Sequence, residues 1–262
     1  MILRLAFLFN VLITLCAFGQ VKVHVRAHAH NDYENDRPLF DALQNGFLSV
    51  EADVHLYKWN PYYSSLLVGH DRVDTTSRSL EDLYLKPLDS LVKANKGPVY
   101  KGDIHTFYLM IDIKTDADTT YLALKQLMSY YPKLKCNSIE CPVKIFLSGN
   151  RPMSLVMKKY DGLALDGRPA DLGQGFSTDV MPVVSDSFWN WCKWDGKQKL
   201  DPTDLQQIRE LAQIVHGENK KLRLWAAPDN PSAWKALLDA GVDLINTDKL
   251  QDLNEFLKAL GK

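Results

Sequence analysis

The sequence is short of several features that would settle its class at once. Only four of its 262 residues are cysteines, at 16, 136, 141 and 192, and no two of them form a Cys-x-x-Cys pair. That excludes a disulfide-dense small scaffold and a cysteine-based zinc site. Neither sign of charge is in excess, with 31 Lys and Arg against 32 Asp and Glu. A nucleic-acid binder carries a basic excess, so no nucleic-acid partner is expected. No glycine-rich Gly-x-Gly-x-x-Gly turn follows the first strand-like run, and no low-complexity linker or residue repeat divides the chain. Hydrophobic residues make up 46% and charged residues 24%, the composition of a globular domain rather than a disordered or fibrous one.

The N-terminus reads as an export signal. Arg4 precedes an apolar run from Leu5 to Cys16, followed by Ala17-Phe18-Gly19 with small residues where a signal peptidase needs them. The run is shorter than the ~20 residues that span a bilayer, and Leu15 is too bulky before Cys16 for a lipoprotein cleavage site. Cleavage after Gly19 is expected to leave residues 20–262 as one mature, secreted or periplasmic domain. Export permits disulfides. Cys136 and Cys141 bracket a short polar loop and suit a local bridge, with Cys192 left outside it as a buried thiol.

The mature chain alternates short apolar runs with helix-like stretches. Strands are expected at 21–27, 47–54, 107–113, 143–147, 163–165, 182–184, 222–225 and 242–245. Helices are expected at 38–44, 80–93, 119–131, 153–159, 202–216, 231–239 and 250–260, with a helix-poor connection at 167–178. Gly46 and Gly241 stand where helices end, Asp116 and Asp201 near helix starts, and Pro202 and Pro231 suit first turns. Eight strand–helix units in this length predict a single α/β domain, a (β/α)8 TIM barrel, in preference to a doubly wound open sheet.

Alternate strand residues of a barrel point inward, and its chemistry sits at the C-terminal strand ends. Every predicted strand end carries a polar or amphipathic side chain there. The first ends in His28-Ala29-His30-Asn31-Asp32. The second places Glu51 and Asp53 on one face, and the third does the same with Asp112 and Lys114. Later ends bring Ser148, Asn150 and Arg151, then Asp166, Ser185, Trp225, Asn246 and Asp248. Three converging carboxylates would repel one another, so either they raise each other's pKa values or a cation holds them. All-oxygen ligands suit Mg²⁺ or Ca²⁺. Of the seven histidines, His30 and His70 flank that trio and suit paired acid–base or nucleophilic work on a phosphate ester. His24 and His216 read as structural, His105 falls at the wrong end, and His55 ranks below the pair.

His30-Asn31-Asp32-Tyr33, Ser49-Val50-Glu51-Ala52-Asp53-Val54 and Val68-Gly69-His70-Asp71 resemble the phospholipase-C-like phosphodiesterase superfamily. The first two elements most resemble its "altered inheritance of mitochondria" branch. Gly241-Val242-Asp243 with Asn246-Thr247-Asp248 is similar to the last strand of glycerophosphodiester phosphodiesterases. The likeness spans most of residues 26–250, with its dense motifs within 28–114. It implies His30 and His70 as the catalytic pair, Glu51, Asp53 and Asp112 around one divalent cation, and Lys114 against a phosphate oxygen. Glycerophosphodiesterases usually carry His-Arg-Gly at the first strand and a Pro-Glu-Asn-Thr turn, and many use Glu where Asp112 stands. The resemblance therefore points to phosphodiester chemistry more firmly than to glycerol recognition.

Asn150 and Arg151 are further candidates for phosphate or headgroup contacts, and Trp225 for stacking on substrate or plugging the barrel. The aromatic segment 188–194 suits either a substrate wall touching lipid or a packed loop. A phosphoric diester hydrolase is thus expected, acting on a glycerophosphodiester or phospholipid headgroup, working as a monomer and touching membranes only at the lipid surface. Two other readings compete with it. The His28-x-His30 pair with Asp248 could open an amidohydrolase metal site, but no histidine lies between 105 and 216 to complete it. A non-catalytic ligand-binding barrel is the other.

Overall fold

His28 and Ala29 pair in parallel with Ser49 and Val50 on one side and with Asn246 and Thr247 on the other. These two pairings close the sheet. The computed structural model describes residues 21–261 apart from 61, 136–140 and 199, so the expected export segment and Cys136 lie outside the described residues. The strands are β1 (His24–Ala29), β2 (Phe47–Asn60), β3 (Tyr63–Val68), β4 (Phe107–Ile113), β5 (Val143–Gly149), β6 (Leu163–Gly167), β7 (Val183–Ser187), β8 (Lys221–Trp225) and β9 (Leu244–Thr247). All but β3 are parallel and form an eight-stranded closed barrel, with β3 hydrogen-bonded antiparallel to β2.

The helices are α1 (Phe40–Gln44), α2 (Lys86–Ala94), α3 (Ala117–Met128), α4 (Met153–Lys158), α5 (Gln206–Gly217), α6 (Pro231–Asp239) and α7 (Leu250–Ala259). A π-helical turn at Glu81–Leu85 leads into α2, and the helix-poor connection after β6 holds only a 3-10 turn at Pro169–Asp171. The caps follow the sequence expectation. Asp116 accepts from Thr119 N, Pro231 opens α6, and Gly46 and Gly241 adopt φ of 80° and 95°. A Cβ at Gly46 would lie 2.1 Å from the Lys22 carbonyl oxygen, so glycine is required there. Cys141 is disulfide-bonded and Cys192 is buried.

Helix faces spaced by three and four residues cover the outside of the barrel, as with Ile208, Leu211, Ala212 and Val215 of α5. Inside, Met110, Phe146, Ala164, Val183 and Leu244 make a fully apolar layer. Two residues further along the same strands the layer becomes polar, with Asp112, Ser148, Asp166, Ser185 and Asn246. That transition fixes which end of the barrel can do chemistry.

Strands β1, β5, β6, β7 and β9 run two or three residues further toward their C-terminal ends than the alternation of apolar residues predicts. Buried polar side chains such as His28 and Ser185 (each 0% exposed) occupy those last positions, and a hydropathy pattern ends before them. The larger departure is the hairpin. β2 continues to Asn60 and turns back as β3, a region that Lys58, Asn60, Pro61, Ser64 and Ser65 make loop-like in sequence.

Candidate active site

Glu51 and Asp53 share the inward face of β2, and parallel register sets Asp112 of β4 directly beside Asp53. Their ligand oxygens lie within 4.8 Å of one another. Lys114 Nζ stands 3.0 Å from Asp53 Oδ2 and 3.5 Å from Asp112 Oδ2, and Tyr33 OH donates to Asp53 Oδ2 at 2.9 Å. Burial raises Asp112 to about 6 and lifts Asp53 above its usual range, despite Lys114. Glu51 goes the other way. Burial pushes it up, but Arg223 and His28 outweigh that and hold it at about 2. Asp53 Oδ1 is buried without a hydrogen-bond partner. An oxygen-only cluster with an orphaned carboxylate oxygen fits a hard divalent cation, which would supply the missing positive charge.

The two histidines open onto the same cavity, of about 340 Å³, lined also by Glu51, Asp53, Asp112 and Lys114. His30 Nδ1 donates to Asp248 Oδ1 at 2.7 Å, which leaves Nε2 for the cavity. Burial lowers the basicity of His30, yet Asp248 and Glu51 outweigh it and raise the pKa above the ordinary value. His70, on the loop after β3, pairs through Nδ1 with Asp71 Oδ1 at 2.9 Å. His28 is different. It is fully buried, with Nδ1 2.7 Å from Ser49 Oγ and Nε2 3.3 Å from Glu51 Oε2. Burial and Arg223 drive it down to about 4, so it is neutral. The His28-x-His30 pair is thus split between two environments and makes no joint metal site.

The His-Asn-Asp-Tyr motif can be accounted for residue by residue. Asn31 adopts φ 45°, a left-handed conformation that asparagine tolerates better than most residues. Buried Asp32 accepts from Leu39 N at 2.5 Å and from Tyr84 OH at 3.0 Å, which ties down the loop that aims His30. Tyr33 reaches Asp53 of the carboxylate cluster.

Trp225 lines the cavity and is 42% exposed, so it walls the mouth and does not plug the barrel. Asn150 and Arg151 fall outside. They line a separate depression with Asp116 and Met153, where Asn150 Nδ2 donates to Thr115 O and Arg151 Nη1 to Asp166 O and Asp171 Oδ2. Within the aromatic segment, Phe188 and Cys192 are buried while Trp189 remains exposed.

Sequence reasoning missed two arginines. Arg223 of β8 is buried, donates to Glu51 Oε2 at 2.6 Å and to Asn246 Oδ1 at 2.8 Å, and borders the cavity. Its signal was available, since it stands two residues before Trp225 on the same strand face. Arg168, in the loop after β6, also lines the cavity. Its guanidinium is fixed to Asp166 Oδ2 (2.6 Å) and Ser148 Oγ (3.1 Å), while Ser185 Oγ donates to the other Asp166 oxygen at 2.6 Å. Ser148, Asp166 and Ser185 are among the strand ends the sequence marks, but nothing local in it marks Arg168 as their partner.

The AIM6-like phosphodiesterase domain matches residues 18–162, and the glycerophosphoryl diester phosphodiesterase family matches 221–251, the segment holding Arg223, Trp225 and Asp248. An altered inheritance of mitochondria protein 6 homolog from Arthroderma benhamiae is 30% identical, over 86% of this chain and 82% of its own. The protein of that name from Eremothecium gossypii is 29% identical, over 90% and 70%. Among solved structures, an Oleispira antarctica phosphodiesterase in complex with the product sn-glycerol-3-phosphate superposes with TM-score 0.51 at 12% identity, covering 90% of this chain and 97% of that one. A glycerophosphodiester phosphodiesterase from Agrobacterium tumefaciens gives TM-score 0.50 at 11%, covering 90% and 100%. These last two share the barrel fold. On the match to more than half of its length, and on its 30% identity to a relative it largely covers, this chain belongs to the AIM6-like phosphodiesterase family of phosphoric diester hydrolases.

Proposed function

We propose that the protein is an exported, cation-dependent phosphodiesterase that cleaves a glycerophosphodiester or phospholipid-headgroup ester. The observation that carries this reading is the convergence of His30, His70, Lys114 and the Glu51–Asp53–Asp112 cluster on one cavity. A divalent cation held by those three carboxylates, of the magnesium or calcium class, would polarise a phosphoryl oxygen and offset the acidic charge that repels an anionic substrate.

The residues of the chain do the rest. Lys114, 28% exposed in its side chain, faces the cavity as a point charge for a second phosphoryl oxygen. Arg168 supplies a fixed cation on another part of the wall. One histidine attacks phosphorus or removes a proton from the attacking hydroxyl, and the other protonates the leaving oxygen. Asp248 and Asp71 orient the rings through Nδ1 so that each Nε2 can act. The export segment at residues 1–19 supports secretion or delivery to the periplasm, and the small phosphate product held by the Oleispira relative supports a small-molecule or lipid-headgroup substrate.

The test is hydrolysis of bis(p-nitrophenyl) phosphate with Mg²⁺ or Ca²⁺. Activity abolished by EDTA and by the double variant His30→Ala/His70→Ala supports the reading, and full activity in that double variant overturns it. Metal analysis of Glu51→Gln/Asp53→Asn should show loss of stoichiometric cation.

A further inference from the structure

The inward face of β2 does not end at the active site. Glu51 and Asp53 are followed at the same two-residue period by His55, Tyr57 and Trp59, and the strand carries that face roughly 20 Å beyond Asp53 at about 3.3 Å per residue. β3 returns alongside it, with Tyr57 opposite Ser65 and Asn60 opposite Tyr63. The tip is aromatic. Tyr57 and Trp59 meet edge to face at 4.9 Å, Trp59 Nε1 donates to Ser65 Oγ, and Asn60 Oδ1 accepts from the backbone N–H groups of Tyr62 and Tyr63 to hold the turn. Tyr62 is 98% exposed and Tyr63 61%.

Three features of this hairpin are unusual together. From His55 to Gly69 the only fixed charge is Lys58, and no acidic residue occurs. A stretch of that length at the chain's 24% charge content would hold three or four charged residues. β3 is also the edge of the sheet, where soluble proteins ordinarily place charges against unwanted pairing. And the exposed tryptophans Trp59, Trp189 and Trp225 all lie on segments at the C-terminal ends of barrel strands, the end at which the catalytic cavity opens.

Within the hairpin, Trp and Tyr with a lone lysine and no acid are the composition of a surface that sits at a lipid headgroup layer, where an aromatic ring is half buried and its polar edge stays wet; Asp116, outside the hairpin, lies within electrostatic reach of Lys58. We infer that the β2–β3 hairpin docks the protein on an anionic lipid–water interface and brings the catalytic mouth to a substrate presented by that interface. This rests on the phosphodiesterase reading only for the identity of the substrate; the docking itself does not depend on it. Lys58 meets the anionic headgroups, and Trp59, Tyr62 and Tyr63 enter the interfacial layer.

The experiment is co-sedimentation of the full chain with large vesicles of phosphatidylcholine containing phosphatidylglycerol, beside hydrolysis of soluble bis(p-nitrophenyl) phosphate. Wild type is expected to sediment with the vesicles. Trp59→Ser/Tyr62→Ser/Tyr63→Ser is expected to bind at least about tenfold more weakly, with soluble turnover within about twofold of wild type because none of the three touches the cavity. Quenching of Trp59 fluorescence by brominated lipid would give the same answer in a single-tryptophan-loss comparison with Trp59→Phe. Equal vesicle binding by the triple variant overturns the inference, as does wild type that fails to bind. So does a concentration-dependent dimer in sedimentation velocity that the triple variant abolishes, since the hairpin would then serve a second copy. Vesicle binding without any hydrolysis would count against the phosphodiesterase reading and leave the docking surface standing.

Discussion

Arg223 Nη2 donates to Glu51 Oε2 across 2.6 Å, and the two residues, 172 apart in sequence, are each less than 5% exposed. This pair, with His28 on the same carboxylate oxygen, fixes one carboxylate of the proposed cation site before any cation arrives. Removing one member of a buried ion pair strands the other charge. Arg223→Met is therefore expected to lower stability by about 3–5 kcal/mol in urea unfolding without divalent cation, and saturating Mg²⁺ or Ca²⁺ should restore part of that. A loss below about 1 kcal/mol would mean the pair is not buried in solution.

Gly149 ends β5 with φ +63°, and a Cβ there would lie 2.0 Å from Asp112 Oδ1 and 2.6 Å from the Ile113 carbonyl oxygen. Gly149→Ala should displace the Asp112 carboxylate and weaken cation binding by at least about tenfold. The left-handed backbone adds about 1–2 kcal/mol of destabilisation. Isothermal titration with the cation, beside thermal unfolding, checks both. Unchanged cation affinity would show that Asp112 does not contribute a ligand.

The two histidines are expected to differ in their dependence on the leaving group. p-Nitrophenolate departs without a proton, whereas an alkoxide needs one. The variant lacking the general acid should therefore lose far less activity on a p-nitrophenyl diester than on an alkyl diester. The other variant should lose both alike. Parallel losses for His30→Ala and His70→Ala on the two substrates would contradict a divided acid–base pair.

Burial lifts Asp32 from 3.8 to about 6, against the hydrogen bonds from Leu39 and Tyr84, so the folded state keeps its proton after the unfolded chain has released one. Stability attributable to this group is fully present below pH 4 and falls as pH rises toward 6, by up to about 3 kcal/mol at ~1.4 kcal/mol per pH unit. Asp32→Asn removes the titration. Urea unfolding at pH 4 and pH 7 should show the wild type losing more stability over that interval than Asp32→Asn. Identical pH dependence would refute the assignment.

The barrel and the core of its site were legible because they depend on local pattern. Eight apolar runs separated by helix-period stretches set the architecture, and period-2 alternation within β2 put Glu51 and Asp53 together without any knowledge of other strands. The β2–β3 hairpin was not legible, since its strands hold each other outside the barrel and lack the apolar alternation that a covered face imposes. Asn150 and Arg151 were misleading for a related reason. Gly149 turns the chain out of the barrel, so the residues after it leave the mouth although they follow a strand end.

By itself the sequence determined the eight barrel strands, the mouth at which polar residues gather, and the shared face of Glu51 and Asp53, because periodicity and strand order fix those. Only the tertiary structure decided which charges meet. Glu51 is ionised because Arg223 arrives from β8, Asp112 is reluctant to ionise because burial outweighs Lys114, and Arg168 enters the cavity because buried Asp166 anchors it. Electrostatic free energies depend on distance and desolvation across strands far apart in the chain, and no local pattern encodes them.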